Sequence, residues 1–149
     1  MQTLKGIEGI KSMTGKEWGT SEWLEVTQDR INQFADATGD HQWIHVDTEK
    51  AKQGPFGTTI AHGFLTLSLI PGLGRDLRFE GIKMGINYGL NRVRFPSPVK
   101  VGSRVRAVTK NLSVEDIEGG VQVVNQVTIE VEGQDKPGCV AETVARFYA

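Results

Sequence analysis

The chain has 149 residues and a mass of 16.4 kDa, the size of one domain with its own hydrophobic core. Hydrophobic residues make up 38% and charged residues 23% of it, a balance typical of globular proteins and not of disordered ones. Its 17 basic and 18 acidic residues give a formal charge of −1, which offers no electrostatic attraction to nucleic acid or to an anionic membrane surface. We expect one domain over residues 1–149.

The single cysteine, Cys139, cannot form an internal disulfide, and no group of cysteines and histidines has the spacing of a zinc site. Because its neighbours are apolar, we expect a buried structural thiol and not a nucleophile. Residues 1–6 lack the apolar core of a signal peptide, and no apolar run approaches the roughly 18 residues that span a bilayer. These features predict a cytoplasmic protein without a membrane segment.

The first clear helical pattern follows Thr27, which is a good N-cap residue, and Gly39 is placed to end the helix in a left-handed conformation. Four residues are spaced to share one face of this helix: Ile31, Phe34, Ala35 and Thr38. The next segment, residues 40–59, is rich in turn signals, so we expect irregular chain with a short helical turn near residues 48–52. Long irregular loops in compact domains are often functional.

Residues 63–70 are apolar on nearly every side, which predicts a helix surrounded by protein. Pro71 should end or kink this helix, because proline has no amide hydrogen and its ring clashes with the preceding turn.

The rest of the chain alternates as strands do. Met84, Ile86, Tyr88 and Leu90 are apolar at even positions and Val93 and Phe95 at odd ones, which predicts a bulge around Asn91-Arg92. Further strands are predicted over residues 103–113, 121–132 and 139–148, with turns at 116–120 and 133–138. Hairpin-linked strands after one apolar helix indicate an α+β fold, in which the helix packs on a curled antiparallel sheet.

The residues suited to chemistry are concentrated in one window. All three histidines, His41, His45 and His62, lie there, and Asp40 precedes His45 by five positions. Gly63 offers a backbone amide at the start of the apolar helix. A carboxylate, an imidazole and such an amide are the parts of an acid-base site with an oxyanion donor. An aspartate and a histidine at this spacing are by themselves weak evidence, since many solvated loops contain such a pair.

Three motifs together resemble the MaoC-like hydratases of the hotdog fold, the family of R-specific enoyl-CoA hydratases. The first is Gly39-Asp40-His41-Gln42-Trp43-Ile44-His45, where the family has Gly-Asp, then Asn-Pro, an aliphatic residue and His. The second is Ile60-Ala61-His62-Gly63, and the third is Arg94-Phe95-Pro96-Ser97-Pro98-Val99 with Gly102. Gln42-Trp43 in place of Asn-Pro is similar to the nodulation-protein-N-like branch and leaves the acid-base pair intact.

The resemblance implies reversible syn hydration of trans-2-enoyl-CoA to (R)-3-hydroxyacyl-CoA, with water as co-substrate and no metal or organic cofactor. It implies that Asp40 and His45 hold the reacting water and that the Gly63 amide donates to the thioester oxygen. A helix-start amide lacks an intrahelical acceptor, which suits that role, although the glycine can equally serve close helix packing. The resemblance also implies a homodimer, as does the long edge strand of a curled sheet.

Other residues in the window have plainer interpretations. We expect His41 to face solvent and His62 to cap or brace the helix start. Trp43 and Phe56 suit either an acyl tunnel or anchoring of the loop in the core. The basic residues that could bind coenzyme A phosphates are Arg75, Arg78, Arg92, Arg94 and Lys100, and their spacing does not choose among them. A glycine-rich phosphate loop is absent from the sequence.

Two other functions remain open from the sequence. A hotdog thioesterase also needs an acyl-CoA, a helix-start amide and a carboxylate. A non-catalytic acyl-binding module would keep the fold alone, but the presence of both Asp40 and His45 argues against it.

Overall fold

The computed structural model describes residues 2–74 and 77–149. Its strands are β1 (Gln2–Lys5), β2 (Glu17–Thr20), β3 (Leu24–Glu25), β4 (Leu77–Glu80), β5 (Met84–Arg94), β6 (Arg104–Ile117), β7 (Gly120–Val131) and β8 (Cys139–Tyr148). Its helices are α1 (Gly6–Lys11), α2 (Gln28–Thr38), α3 (Trp43–Val46), α4 (Thr48–Lys52), α5 (Gly63–Ser68) and α6 (Ile70–Leu73). The predicted α+β class is confirmed.

The main sheet is antiparallel, in the order β2-β6-β7-β8-β5, with β3 paired to the start of β6. A smaller parallel pair joins β1 to β4. Alternate side chains of β6, β7 and β8 point to one face, which we call the concave face, where α5 packs. Apolar alternation on three neighbouring strands produces this face, because successive side chains of a strand point to opposite sides.

Helix α2 is as predicted at both ends. The Thr27 hydroxyl accepts a hydrogen bond from the Arg30 amide at 3.1 Å, and Gly39 ends the helix with φ of 80°. A left-handed residue turns the chain away from the helix axis, so Asp40 begins the loop. Thr38, at the end of the predicted face, is exposed, and its hydroxyl donates to the Phe34 carbonyl.

The next two helical predictions need correction. Residues 40–59 contain α3 as well as the predicted turn, which is α4. The helix from Gly63 is interrupted at Pro71 as predicted, since α5 ends at Ser68 and α6 begins at Ile70. The prediction that protein surrounds this helix is wrong, because Phe64 is 71% exposed.

Strand β5 is the outer strand of the main sheet. The predicted bulge is confirmed, because its register with β8 shifts between Leu90 and Arg92, and a second shift separates Asn87 from Gly89. The apolar side chains of this strand are exposed: Met84 by 50%, Ile86 by 39%, Tyr88 by 58% and Leu90 by 43%. The predicted turn at 116–120 is tighter than expected, because β6 and β7 leave only Glu118 and Gly119 between them.

Two clusters of buried side chains lie at opposite ends of the concave face. At the near end, Val127, Ile129, Cys139 and Ala141 pack with Leu65 of α5. At the far end, Val121 and Val123 pack under α1 and β1, with contributions from the side chains of Leu4, Ile10, Met13 and Trp18. The N-terminal elements thus close the end of the sheet that the central helix does not reach.

Candidate active site

Asp40 lies on the loop that the left-handed Gly39 turns out of α2. Its Oδ1 atom accepts a hydrogen bond from the Gln42 amide at 3.3 Å, which orients the carboxyl group. Its backbone carbonyl accepts a second bond from Nε2 of His62 at 2.9 Å. The side chain is exposed, so one carboxylate remains accessible at the surface of a fixed loop.

His45 lies in the last turn of α3 and is buried, with 6% of its surface exposed. Its Nδ1 is 2.7 Å from the Ile60 carbonyl oxygen. Because a carbonyl can only accept, Nδ1 carries the hydrogen, and Nε2 of the neutral ring keeps a lone pair. The imidazole is thus held in the tautomer that a general base requires.

Burial is the main influence on the protonation of His45, and it lowers the pKa of the imidazole from its ordinary value of 6.5. The hydrogen bond to Ile60 raises this pKa, the adjacent His62 ring lowers it and the Asp40 carboxylate raises it, in decreasing order of effect. Since the net shift is downward, the ring is neutral at pH 7 and able to accept a proton.

His62 packs directly against this base. Its ring stacks on that of His45, with 3.9 Å between centroids and 23° between planes. It does not cap α5 with its side chain, contrary to one expectation; it braces the Asp40 loop through the bond from Nε2. Nδ1 of His62 is buried and has no hydrogen-bond partner in the described chain. One imidazole therefore fixes both the backbone of Asp40 and the face of His45.

Gln28, in the first turn of α2, supports the site from behind. Its Nε2 donates to the His45 carbonyl at 2.8 Å, and its Oε1 accepts from the buried Thr59 hydroxyl. Sequence reasoning missed this residue. The single available signal was its position at the start of the predicted helix, which does not reveal a partner 17 residues away.

Gly63 begins α5, and its amide nitrogen donates no hydrogen bond to any described residue. A Cβ atom at this position would lie 3.1 Å from the Phe95 ring, so the glycine also permits close packing. The oxyanion role and the packing role predicted for Gly63 are therefore compatible.

Asp40, His45 and His62 come together. One carboxylate oxygen and one nitrogen from each ring all lie within 4.8 Å of one another. Nδ1 of His45 and Nε2 of His62 are each within hydrogen-bonding distance of a backbone carbonyl. One nitrogen of each ring and the carboxylate therefore remain to hold a small ligand such as water.

A cavity of about 790 Å³ lies along the concave face beside this site, although Asp40, His45, His62 and Gly63 are not among its lining residues. Phe34 and Phe64 line its near end: the Phe34 ring is 4.8 Å from the His62 ring, and Phe64 follows Gly63 in the chain. Phe79 and Phe147 close its far end, stacked at 5.0 Å. An extended apolar group starting at the site would fit along this cavity.

Several candidate residues lie elsewhere. His41 is exposed as predicted and lies 2.9 Å from Asp36. Trp43 and Phe56 do not line the cavity, and the Trp43 ring is covered by Lys50, whose Nζ is 4.8 Å from its centroid. The basic candidates within the described ranges are all exposed: Arg78, Arg92, Arg94 and Lys100. Arg75 falls outside the described residues.

Cys139 is fully buried at the near end of the concave face. Burial raises the pKa of its thiol to about 11, so the thiol is protonated and unreactive at neutral pH. The predicted structural role is confirmed.

An antiparallel sheet curled around a short central helix is the hotdog fold. Here the fold carries an accessible carboxylate and a buried neutral imidazole beside an apolar cavity. These features define a hotdog domain with a candidate acid-base site.

Comparison with known proteins identifies the family. Residues 10–133 match the family described as "MaoC like domain". The chain is 54% identical to 3-hydroxyacyl-thioester dehydratase Z of Mycobacterium tuberculosis, over 100% of both chains, and 47% identical to Nodulation protein N of Rhizobium leguminosarum, over 95% of this chain and 91% of that protein. The (R)-hydratase from A. caviae has a similar fold, with a TM-score of 0.73 at 24% identity over 89% of this chain and 94% of the other.

The chain belongs to the MaoC-like domain family, in the class of hydratases and dehydratases. The predicted family and its nodulation-protein-N-like branch are confirmed. Within residues 2–74 and 77–149, each helix is too short or too polar to cross a membrane.

Proposed function

We propose that the protein catalyses reversible R-specific hydration of trans-2-enoyl-CoA, with Asp40, His45 and Gly63 as its catalytic groups. The observation that carries this proposal is the Nδ1 contact of His45 with the Ile60 carbonyl, which leaves Nε2 free as a base on a ring that has one nitrogen within 4.8 Å of an Asp40 carboxylate oxygen. The relationship to a 3-hydroxyacyl-thioester dehydratase supports the same reaction.

In the hydration direction, Nε2 of His45 takes a proton from water while the water oxygen bonds to C3 of the enoyl group. The π electrons of the C2–C3 double bond move toward the thioester oxygen, where the Gly63 amide donates a hydrogen bond. Asp40 orients the water, receives from His45 the proton that was taken from the water, and supplies it to C2 as the new C2–H bond forms. The elements of water are then added across the double bond, and His45 and Asp40 end in the protonation states in which they began.

The oxyanion contact and the acid-base pair act on different parts of the reaction. Charge builds on the thioester oxygen as water adds, and loss of such a donor typically costs about 3–4 kcal/mol in the barrier. General acid-base catalysis contributes roughly 10²–10⁴-fold in rate.

The test is crotonyl-CoA hydration by Asp40→Asn and His45→Gln. We expect each change to lower kcat by roughly 10²–10⁴-fold, because each removes a proton-transfer group without changing side-chain size much. The melting temperature and circular dichroism spectrum should match those of the unmodified protein. The matched control is His41→Gln, which changes an exposed histidine of the same loop and should keep full activity.

Near-normal hydration by either purified variant would contradict the proposed mechanism. The assay also separates the rival thioesterase reaction: hydration removes absorbance of the conjugated enoyl thioester without releasing free thiol, whereas hydrolysis releases it. Binding of acyl-CoA without turnover at any chain length would instead indicate a non-catalytic module.

We further propose that residues 1–149 form one domain and that it works as a homodimer paired along β5. Exposed apolar side chains on an outer strand favour pairing with a second copy, which covers both the side chains and the free backbone groups. Phe64, 71% exposed, and Phe95, 44% exposed, extend the same surface beside Gly63.

Sedimentation of Met84→Lys tests the dimer. A charge at this exposed position on β5 should shift the protein toward monomer, because pairing would bury the ammonium group. Leu112→Lys is the control, since Leu112 is also exposed, at 42%, but lies on β6 away from the outer strand. Equal dimer content in both variants would contradict pairing along β5.

A further inference from the structure

A row of polar side chains crosses the mostly apolar concave face. Asn111, Asn125 and Thr143 lie in direct register on β6, β7 and β8. The neighbouring row toward the near end contains Thr109, Val127 and Ala141, and the row toward the far end contains Val123 and Ala145. Polar residues in the middle of an otherwise apolar face require an explanation.

Asn111 is explained by the structure itself. It is buried, its Oδ1 accepts from the Gly15 amide at 3.0 Å, and its Nδ2 approaches Oδ1 of Asn125 at 2.9 Å as well as two backbone carbonyls. These bonds tie the loop after α1 to the bulge of β6. Asn111 is therefore structural.

Asn125 and Thr143 are not explained in this way. Both line the cavity, and the contact with Asn111 occupies only Oδ1 of Asn125. Among the residues that the structure describes, the Asn125 amide nitrogen and the Thr143 hydroxyl have no hydrogen-bond partner, yet neither atom is sealed from the cavity. Two free polar groups thus face the space that an acyl chain would occupy.

A plain hydrocarbon chain laid across these groups would strip them of water without replacing its hydrogen bonds. Each unsatisfied polar group costs about 1–3 kcal/mol when desolvated. A chain with a hydroxyl or carbonyl oxygen at this point would accept from the Asn125 amide and pair with the Thr143 hydroxyl. We propose that the cavity contains a subsite, formed by Asn125 and Thr143, for an oxygen substituent in the middle of the acyl chain; this inference rests on the proposed function.

The register gives the position of that oxygen. A side chain at Gly63 would touch Phe95, which follows the pair Arg94–Val140 and so lies level with Cys139. Thr143 is four residues further along β8, about 13 Å at 3.3 Å per residue. An extended chain advances roughly 1.3 Å per carbon, from a C–C bond of about 1.5 Å, so the oxygen is expected near the tenth carbon.

The experiment compares two enoyl-CoA substrates of about twelve carbons, one plain and one with a hydroxyl near the tenth carbon, alongside crotonyl-CoA. We expect kcat/KM to be about tenfold higher for the hydroxylated chain, the effect of one well-placed hydrogen bond. Thr143→Val and Asn125→Leu should each reduce the ratio of kcat/KM for the hydroxylated substrate to kcat/KM for the plain substrate toward one. Both should leave crotonyl-CoA hydration unchanged, because a four-carbon chain is too short to reach the polar row.

Thr128→Val is the matched control, because Thr128 lies on β7 but points to the opposite face from Asn125. It should keep the tenfold preference. Equal rates for the two long substrates, or a preference for the plain chain, would overturn the subsite.

Failure of the proposed function gives a different result, namely loss of crotonyl-CoA hydration by the unmodified protein. In that case, calorimetric binding of the two saturated twelve-carbon acyl-CoA molecules decides the inference. Tighter binding of the hydroxylated molecule, reduced by Thr143→Val, supports the subsite, and equal binding overturns it.

Discussion

Two regions of the concave face carry similar side chains but differ in packing: the near end is closely packed, and the region beyond it borders a cavity. At the near end, Leu65 of α5 packs in one buried cluster with Ile129 and Ala141, neither of which lines the cavity. Beyond this end, as far as the cluster under α1 and β1, the same strands continue, but the helix is interrupted before Pro71 and a cavity of about 790 Å³ remains. The comparison teaches that a repeated strand pattern builds the wall, while the length of the helix decides which part of it is left for a ligand.

The sharpest test of this comparison places one substitution at each end of β8. Ala141 is fully buried, so Ala141→Leu should lower the free energy of unfolding by about 1–3 kcal/mol through overpacking. Ala145, four residues on, lines the cavity, so Ala145→Leu should change it by no more than about 0.5 kcal/mol. Urea titration of both variants measures the difference.

The same pair reports on function. Ala145→Leu should slow hydration of a twelve-carbon enoyl-CoA about tenfold, because the added methyl groups occupy the path of the chain, and should leave crotonyl-CoA unaffected. Equal destabilisation by the two substitutions would mean that the surroundings of Ala145 are as closely packed as those of Ala141.

His62 tests how rigidly the near end holds the catalytic loop. His62→Phe keeps a stacking ring beside His45 but removes the hydrogen bond to the Asp40 carbonyl, and we expect kcat to fall about tenfold for loss of that bond. His62→Gln retains an amide donor and should recover part of the rate, while KM for crotonyl-CoA should change less than kcat in both. Full activity of the His62→Phe variant would contradict the conclusion that His62 braces the Asp40 loop.

The pH dependence of His45 gives the smallest expected effect. Because its pKa is lowered, the midpoint of the acid limb of kcat/KM for crotonyl-CoA should lie below pH 6.5. The free energy of unfolding should also fall as pH falls. Below pH 6.5 the histidine of the unfolded chain binds a proton, whereas His45 in the folded protein stays neutral until the pH is lower. This contribution is complete above pH 6.5 and is lost as pH falls toward the folded pKa.

A steady-state pH profile, with a parallel urea series, measures both quantities. An acid limb centred above pH 6.5 would contradict a desolvated base. His45→Gln should remove this histidine's contribution to the pH dependence of the free energy of unfolding.

Local rules were enough for several elements and failed where partners are distant. Thr27 and Gly39 set the ends of α2 through their own conformations, and the phase change at Asn91 set a bulge in β5. The exposure of Thr38 could not be predicted, because helical spacing selects a face but not what covers each position along it. The prediction that protein surrounds the helix containing Phe64 was wrong, because sequence does not reveal which side of an apolar helix is exposed.

The amino-acid sequence by itself determined the class of fold, the family and the window that contains Asp40 and His45, since these depend on periodicity and on short motifs. The tertiary structure alone decided the tautomer of His45, the stacking of His62 and the position of the cavity. Each of these depends on residues 15 or more positions apart, such as His45 and Ile60, which only the folded chain brings within hydrogen-bonding distance.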